Sequence, residues 1–219
     1  MQKEQYFRNK VKQFYLYKGR NFFWRKKKLT PYQFMIIELF LKKTRAETVD
    51  KKAYEFVKLY NKNNKILREP TDEIFKQVVI FGLGKQRTKA LKEISRYLDK
   101  NHNNKLPENI KELENIPFIG IYSSNAILCF GFNKRVPILD VNTSRIISRF
   151  FSIKLTSDLR NNRHLQDKAK DIIPRKGFKE YNWGLLDFGA IICKSRPLCD
   201  ICPLNRKCDS FNSKKLRKA

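Results

Sequence analysis

Carboxylates are scarce in this sequence. Its 219 residues carry 21 Asp and Glu against 48 Lys and Arg, which gives a formal net charge of +27. Acidic residues are scarce along the whole chain. Local runs of charge on solvent-exposed faces therefore do not explain the excess of positive charge. Such an excess opposes compaction unless a polyanion is the working partner. The composition therefore predicts binding to nucleic acid, with a strong dependence on salt.

Glycine, proline and long apolar runs are also few. There are eight Gly and eight Pro, while hydrophobic residues make up 41%, a balance typical of a globular protein rather than a disordered one. The longest apolar runs, such as MIIELFL at 35–41, are too short to cross a bilayer and include a glutamate. No apolar run follows the charged N-terminal segment, as a signal peptide would require. We therefore expect a cytoplasmic protein, nucleoid-associated if prokaryotic, with no membrane partner.

Alternating apolar and polar residues, the pattern of half-buried strands, are nearly absent. Apolar residues recur instead at helical spacing, for example in PYQFMIIELFLKKTRAETV (31–49), where Thr30 is a candidate N-cap and Pro31 a first-turn residue. The helical pattern QRTKALKEISRYLDK (86–100) is ended by NHNN. The predicted fold class is therefore all-α, with short loops.

Cysteine is limited to five residues, yet four of them lie within sixteen positions, CKSRPLCDICPLNRKC at 193–208. Thiols stay reduced in the cytoplasm, so this spacing indicates metal ligands rather than disulfides. Four thiolates are the usual ligands of a [4Fe–4S] cluster. Zinc is the alternative, because C-x2-C is also a zinc-knuckle spacing. The fifth, Cys129, is most simply a small buried hydrophobe.

Three further features could carry chemistry. LENIPFIGIYSSNAI (113–127) places a tight turn between two short helices, with Gly120 open to close approach and free N–H groups after it, a candidate anion site. Asp140 follows twenty residues later and, on local sequence, is best explained as an N-cap. Glu38 lies on an apolar helix face, where a carboxylate is unusual unless it is paired or functional.

With these motifs in this order, nearly the whole chain resembles the helix-hairpin-helix, Gly/Pro-rich-loop-Asp (HhH-GPD) superfamily of DNA glycosylases. The four cysteines are similar to the cluster loop of its endonuclease III and MutY branch, and GRNFFWR (19–25) and GLGKQR (82–87) to that branch's N-terminal segment and wedge loop. LKKTRAETV (41–49) is most like the thymine mismatch glycosylases of the Mig type. Two departures are Phe118, where the hairpin usually has glycine, and a first cysteine interval of five residues instead of six.

The resemblance implies two helical subdomains with a DNA cleft between them. Residues 28–138 would form a six-helix barrel carrying the helix-hairpin-helix, and residues 1–27 plus 139–219 a smaller iron–sulfur cluster subdomain. Implied cofactors are a [4Fe–4S] cluster and a monovalent cation at the hairpin. The cluster ligands would be Cys193, Cys199, Cys202 and Cys208. The implied DNA-binding residues are Lys43, Arg45, Leu83, Gly84, Gln86, Arg87, Ile119, Gly120 and Ser123, of which Lys43 and Leu83 match wedge positions.

The resemblance also implies a mechanism. Asp140 would stabilise cationic character on the sugar, and Glu38 would donate a proton to the leaving base or position water. Tyr122 stands where bifunctional relatives carry a Schiff-base lysine, so water should attack and an abasic site should remain.

The expected substrate is double-stranded DNA with thymine or uracil opposite guanine, bound by a monomer. The chain ends eleven residues after Cys208, without the extra domain of adenine glycosylases. Two alternatives stay open: an adenine glycosylase acting opposite guanine or 8-oxoguanine, and a non-catalytic iron–sulfur module that binds DNA. The retained Glu38 and Asp140 argue against the latter.

Overall fold

The computed structural model describes residues 2–158 and 162–216 and confirms the all-α prediction, since these residues form helices and turns but no strand. In the same two ranges no helix is both long enough and apolar enough to cross a membrane. The α-helices are α1 (Gln2–Lys18), α2 (Phe23–Lys26), α3 (Pro31–Leu41), α4 (Ala46–Leu59), α5 (Asn63–Arg68), α6 (Thr71–Val78), α7 (Gly84–His102), α8 (Ile110–Glu114), α9 (Ile121–Ala126), α10 (Val141–Phe151), α11 (Arg163–Ile172), α12 (Phe178–Ile191) and α13 (Asp209–Leu216).

The chain divides into two compact units. The middle unit is Asn21–Lys134, and the terminal unit combines Met1–Arg20 with Arg135–Ala219. The terminal unit therefore joins the start of the chain to its C-terminal third.

Helix α3 is the central helix of the middle unit. Thr30 caps it as predicted, and Gln33 completes a capping box by accepting a hydrogen bond from the N–H of Thr30 at 2.8 Å. Eight of its eleven residues are buried, which is typical of a helix surrounded by others. It contacts α4, α7, α9 and the π-helical turn Ile127–Gly131, which continues α9.

The helical pattern at 31–49 is interrupted in the structure and forms two helices. Helix α3 ends at Leu41, and α4 begins at Ala46 after a turn in which Lys43 has a left-handed φ of 57°. Lysine has no intrinsic preference for that conformation. The break therefore comes from tertiary contacts, which the periodicity of the segment does not reveal.

The terminal unit packs α1 and α10 against α12. Gly184 makes the first of these contacts possible, because a Cβ there would lie 2.9 Å from the carbonyl oxygen of Val11 in α1. The fully buried Asp187 of α12 accepts hydrogen bonds from Nε and the backbone N–H of Arg20, at 2.7 and 2.8 Å. This ion pair with a buried carboxylate fixes Arg20, which follows α1, on α12.

Candidate functional site

Asp140 caps α10 in the terminal unit, as its local sequence predicted. Its Oδ1 accepts from the backbone N–H of Thr143 at 2.7 Å, and its own N–H donates to Oγ1 of Thr143 at 2.8 Å. Oδ2 accepts from Nδ2 of Asn142 at 3.1 Å. The half-buried carboxylate is thus held in one orientation by donors on both oxygens, while part of its surface stays open to a ligand.

Glu38 lies in the middle of α3 in the other unit, with its side chain only 6% exposed. Lys42 follows one helical turn later. Desolvation lowers the pKa of Lys42, and the attraction of Glu38 partly opposes that shift. The negative charge of Glu38 therefore favours the charged form of Lys42. Sequence reasoning missed Lys42, although its i+4 spacing from Glu38 was a usable signal.

The predicted hairpin lies between α8 and α9. At Gly120 an added Cβ would meet no atom of residues 2–158 or 162–216 within 4 Å, and φ is −103°, a value open to any residue. Packing inside the unit therefore does not require glycine at this position. Close approach of an external partner to the backbone would require it, because a Cβ would stand in the way. Ile119 and Ser123 are buried, with 4% and 3% exposure, so their backbone atoms would have to make any contact with DNA. Tyr122 is half-buried in the first turn of α9.

The other predicted DNA-binding residues lie in the loop after α3, in the loop before α7 and in the first turn of α7. Lys43, Arg45, Leu83 and Gln86 are exposed, as a DNA contact requires. Gly84 and Arg87 are buried instead. A Cβ at Gly84 would lie 2.9 Å from the ring of Phe75 and 3.1 Å from Cα of Val79, so its glycine serves packing of α7 against the preceding segment. The prediction that Gly84 and Arg87 bind DNA therefore rested only on their positions in the GLGKQR motif (82–87).

The four clustered cysteines surround one cavity of about 130 Å³ in the terminal unit. All four are half-buried, and burial raises the pKa of Cys202 to about 11 and raises that of Cys208. Isolated thiolates are thus disfavoured there, whereas bound iron or zinc would stabilise them. Within the described residues, no group of three or more His, Cys, Asp or Glu side chains is arranged to hold a single metal ion.

Four half-buried thiols that line one cavity are a donor set that an iron–sulfur cluster or a zinc ion could use. A four-iron cluster binds each thiolate at a different iron, so its ligands surround a volume instead of converging on a point. Two arginines of α10 hold the first cysteine segment. Arg145 Nε donates to the carbonyl oxygen of Cys193 at 2.9 Å, and Arg149 Nη1 lies 3.6 Å from its Sγ. Both arginines were missed from the sequence.

Basic side chains are exposed on the loop that carries the four cysteines. They are Lys194, Arg196, Arg206 and Lys207. A loop with this charge is suited to an anionic surface.

Comparison with known proteins identifies relatives for most of the chain. The model of the HhH-GPD superfamily of base excision DNA repair proteins matches residues 36–173. A thymine/uracil-DNA glycosylase of Methanothermobacter thermautotrophicus is 33% identical over 193 residues, covering 88% of this chain and 87% of that protein. An adenine DNA glycosylase of Buchnera aphidicola is 33% identical over 199 residues, covering 88% of this chain but 54% of that protein.

Solved structures of a DNA glycosylase and of an endonuclease III also resemble this chain. A thermostable thymine-DNA glycosylase superposes with a TM-score of 0.90 at 31% identity, covering 97% of this chain and 98% of that one. An endonuclease III–DNA complex superposes with a TM-score of 0.79 at 18% identity, which shows a shared fold.

Proposed function

Because this chain belongs to the HhH-GPD superfamily of base excision DNA repair proteins, we propose that it is a monofunctional DNA glycosylase that removes thymine or uracil opposite guanine. The observation that carries the substrate assignment is the similarity to the thymine/uracil-DNA glycosylase of Methanothermobacter thermautotrophicus, which extends over 88% of the chain at 33% identity. The protein acts on double-stranded DNA as a monomer.

Asp140 carries the central step in this proposal. Cleavage of the N-glycosidic bond builds positive charge on the sugar, and a fixed carboxylate stabilises that charge without reorganising. The hydrogen bonds from Thr143 and Asn142 hold Asp140 in such a fixed orientation. Glu38, buried in α3, donates a proton to the leaving base or positions the attacking water.

Tyr122 supports the monofunctional part of the proposal. A phenol cannot form an imine with the sugar, so water is the nucleophile and an abasic site is the product. The exposed Lys43 and Leu83 enter the base stack where the target base leaves. Their insertion lowers the free energy needed to extrude that base.

Cys193, Cys199, Cys202 and Cys208 hold a [4Fe–4S] cluster in this proposal. The cluster cross-links the loop and leaves bond cleavage to the carboxylates. The cysteine loop then presents its exposed lysines and arginines to DNA phosphates, where they contribute affinity without sequence preference.

Adenine excision is the second candidate function, because the Buchnera aphidicola adenine DNA glycosylase also reaches 33% identity. A panel of duplexes with one T:G, U:G, A:G or A:8-oxoguanine pair separates the two candidates. We expect alkali-labile sites to form faster at T:G and U:G than at either adenine pair, and little borohydride-trapped adduct. A rate order reversed by about tenfold would favour adenine excision. Efficient trapping by the parent protein would contradict the monofunctional mechanism.

A further inference from the structure

Three loops of the middle unit each carry one exposed side chain other than asparagine on left-handed backbone. The residues are Lys43, Leu83 and Phe118, with φ of 57°, 53° and 64°. Left-handed backbone is unfavourable for residues with a Cβ and is uncommon outside Gly, Asn and Asp. Such conformations persist where surrounding structure holds them, and they concentrate at functional sites.

A single buried guanidinium connects two of these loops. Arg87, 3% exposed, donates from Nη2 to the carbonyl oxygen of Lys42 at 2.9 Å and from Nε to that of Gly82 at 2.8 Å. Each acceptor directly precedes a left-handed residue. Nη1 donates to the carbonyl oxygen of Leu39, which fixes Arg87 to the end of α3.

Two further side chains extend this network. Oγ1 of Thr44 accepts from Arg87 Nη2 at 2.6 Å and donates to the carbonyl oxygen of Phe81 at 2.7 Å, a second connection between the same loops. Nζ of Lys42 donates to the carbonyl oxygen of Phe118 at 2.5 Å, which attaches the hairpin. The three left-handed residues are thus held through one set of contacts.

Arginine suits this position because its planar group carries five N–H donors in a fixed geometry. The acceptors of Arg87 are backbone carbonyls and one hydroxyl on two segments. Gly82 lies five residues before Arg87, whereas Leu39, Lys42 and Thr44 lie more than forty residues before it, Leu39 at a separation of 48. A lysine ammonium, a compact point charge, cannot reach both segments in the same way.

We propose that Arg87 is a positioning residue that holds Lys43 and Leu83 as one preformed wedge for extruding the target base, with Lys42 attaching Phe118 to the same surface. This inference rests on the proposed glycosylase function. It assigns Arg87 to extrusion and leaves the bond-breaking step to Asp140. Loss of Arg87 should therefore slow reaction on paired DNA more than on unpaired DNA.

The test compares single-turnover base release from a U:G duplex with release of the same uracil in a short unpaired bubble, where extrusion costs little. Arg87→Met and Arg87→Lys should each lower the duplex rate by about tenfold or more, while the bubble rate changes by less than about threefold. Lys89→Met, an exposed position in the same helix, is the control for loss of one positive charge and should leave both rates unchanged.

Thr44→Val keeps the test decisive if the Arg87 variants do not fold. It removes one hydroxyl from the network at nearly constant volume, and it should lower the duplex rate relative to the bubble rate in the same direction. Equal losses on both substrates in folded variants would overturn the positioning role. Absence of base release by the parent protein on every substrate would refute the proposed function instead, so the two failures are distinguishable.

Discussion

At the scale of single residues, Asp140 combines a structural role with a proposed catalytic one, and substitution can separate them. Asparagine caps helices about as well as aspartate, so Asp140→Asn should retain the bond from the N–H of Thr143 and melt within a few degrees of the parent. It removes the negative charge, however. We expect single-turnover base release to fall by about 100-fold or more, with DNA affinity equal or higher.

Asp140→Ala is the matched comparison. It loses both the cap and the charge, so it should show the same loss of base release and a further loss of about 1 kcal/mol in stability. Calorimetric melting and single-turnover kinetics on the same preparations measure the two effects. Near-parental base release by Asp140→Asn would mean that Asp140 is a helix cap alone.

The sequence predicted the roles of some residues better than it predicted which side chains are buried. The N-cap at Asp140 followed from the local pattern, whereas Lys43 and Leu83 were assigned as wedge positions from the family resemblance, and both are exposed. Gly84 and Arg87 belong to the same loop motif but are buried. Their environment depends on Phe75 and on the end of α3, segments that the motif does not include. Local sequence therefore could not assign their roles.

At the scale of elements, helical periodicity located the helices but not every boundary. The expected stop at NHNN is confirmed, because α7 ends at His102 and Asn103 adopts the left-handed conformation that asparagine tolerates. The pattern at 31–49 concealed a break, since nothing in KKTR (42–45) resembles a helix terminator. At this break, Arg87 donates hydrogen bonds to the carbonyl oxygen of Leu39, inside α3, and to that of Lys42, directly after α3.

Helix α10 connects the two candidate centres of the terminal unit. Asp140 caps its start, and near its end Arg149 donates to the carbonyl oxygens of Lys194 and Ser195 at 2.6 and 3.0 Å. Arg149→Met keeps the aliphatic stem but loses these bonds and the contact with Cys193. We expect this variant to release iron to a chelator several-fold faster than the parent, because outer contacts of metal ligands affect metal retention.

Iron loss is followed by the decay of visible absorbance, starting from a parent protein with about four irons per chain. Lys194→Met is the control, since it removes one charge from the same loop without removing the bonds donated by Arg149. Equal rates for Arg149→Met and the parent would show that α10 does not stabilise the cluster. An active parent that contains zinc or no metal would refute the cluster itself.

At the scale of the whole molecule, absences in the composition were as informative as motifs. Lack of alternating patterns predicted an all-α chain, and the described residues confirm it. No linker in the sequence marks the division into a middle and a terminal unit. Composition could not provide that division, since it does not specify which distant segments pack together.

The charge of +27 leads to a prediction about affinity and rate. If the protein contacts about six to ten phosphates, its affinity for duplex DNA should fall by about 10³ to 10⁵ between 50 and 200 mM salt. The single-turnover rate of base release at saturating protein should change little over the same range, because salt screens short-range and partly buried interactions weakly. Fluorescence anisotropy and quenched-flow kinetics across a salt series measure the two quantities. A bond-breaking rate that fell in parallel with affinity would place distant surface lysines in the chemical step, and would contradict the assignment of that step to Asp140.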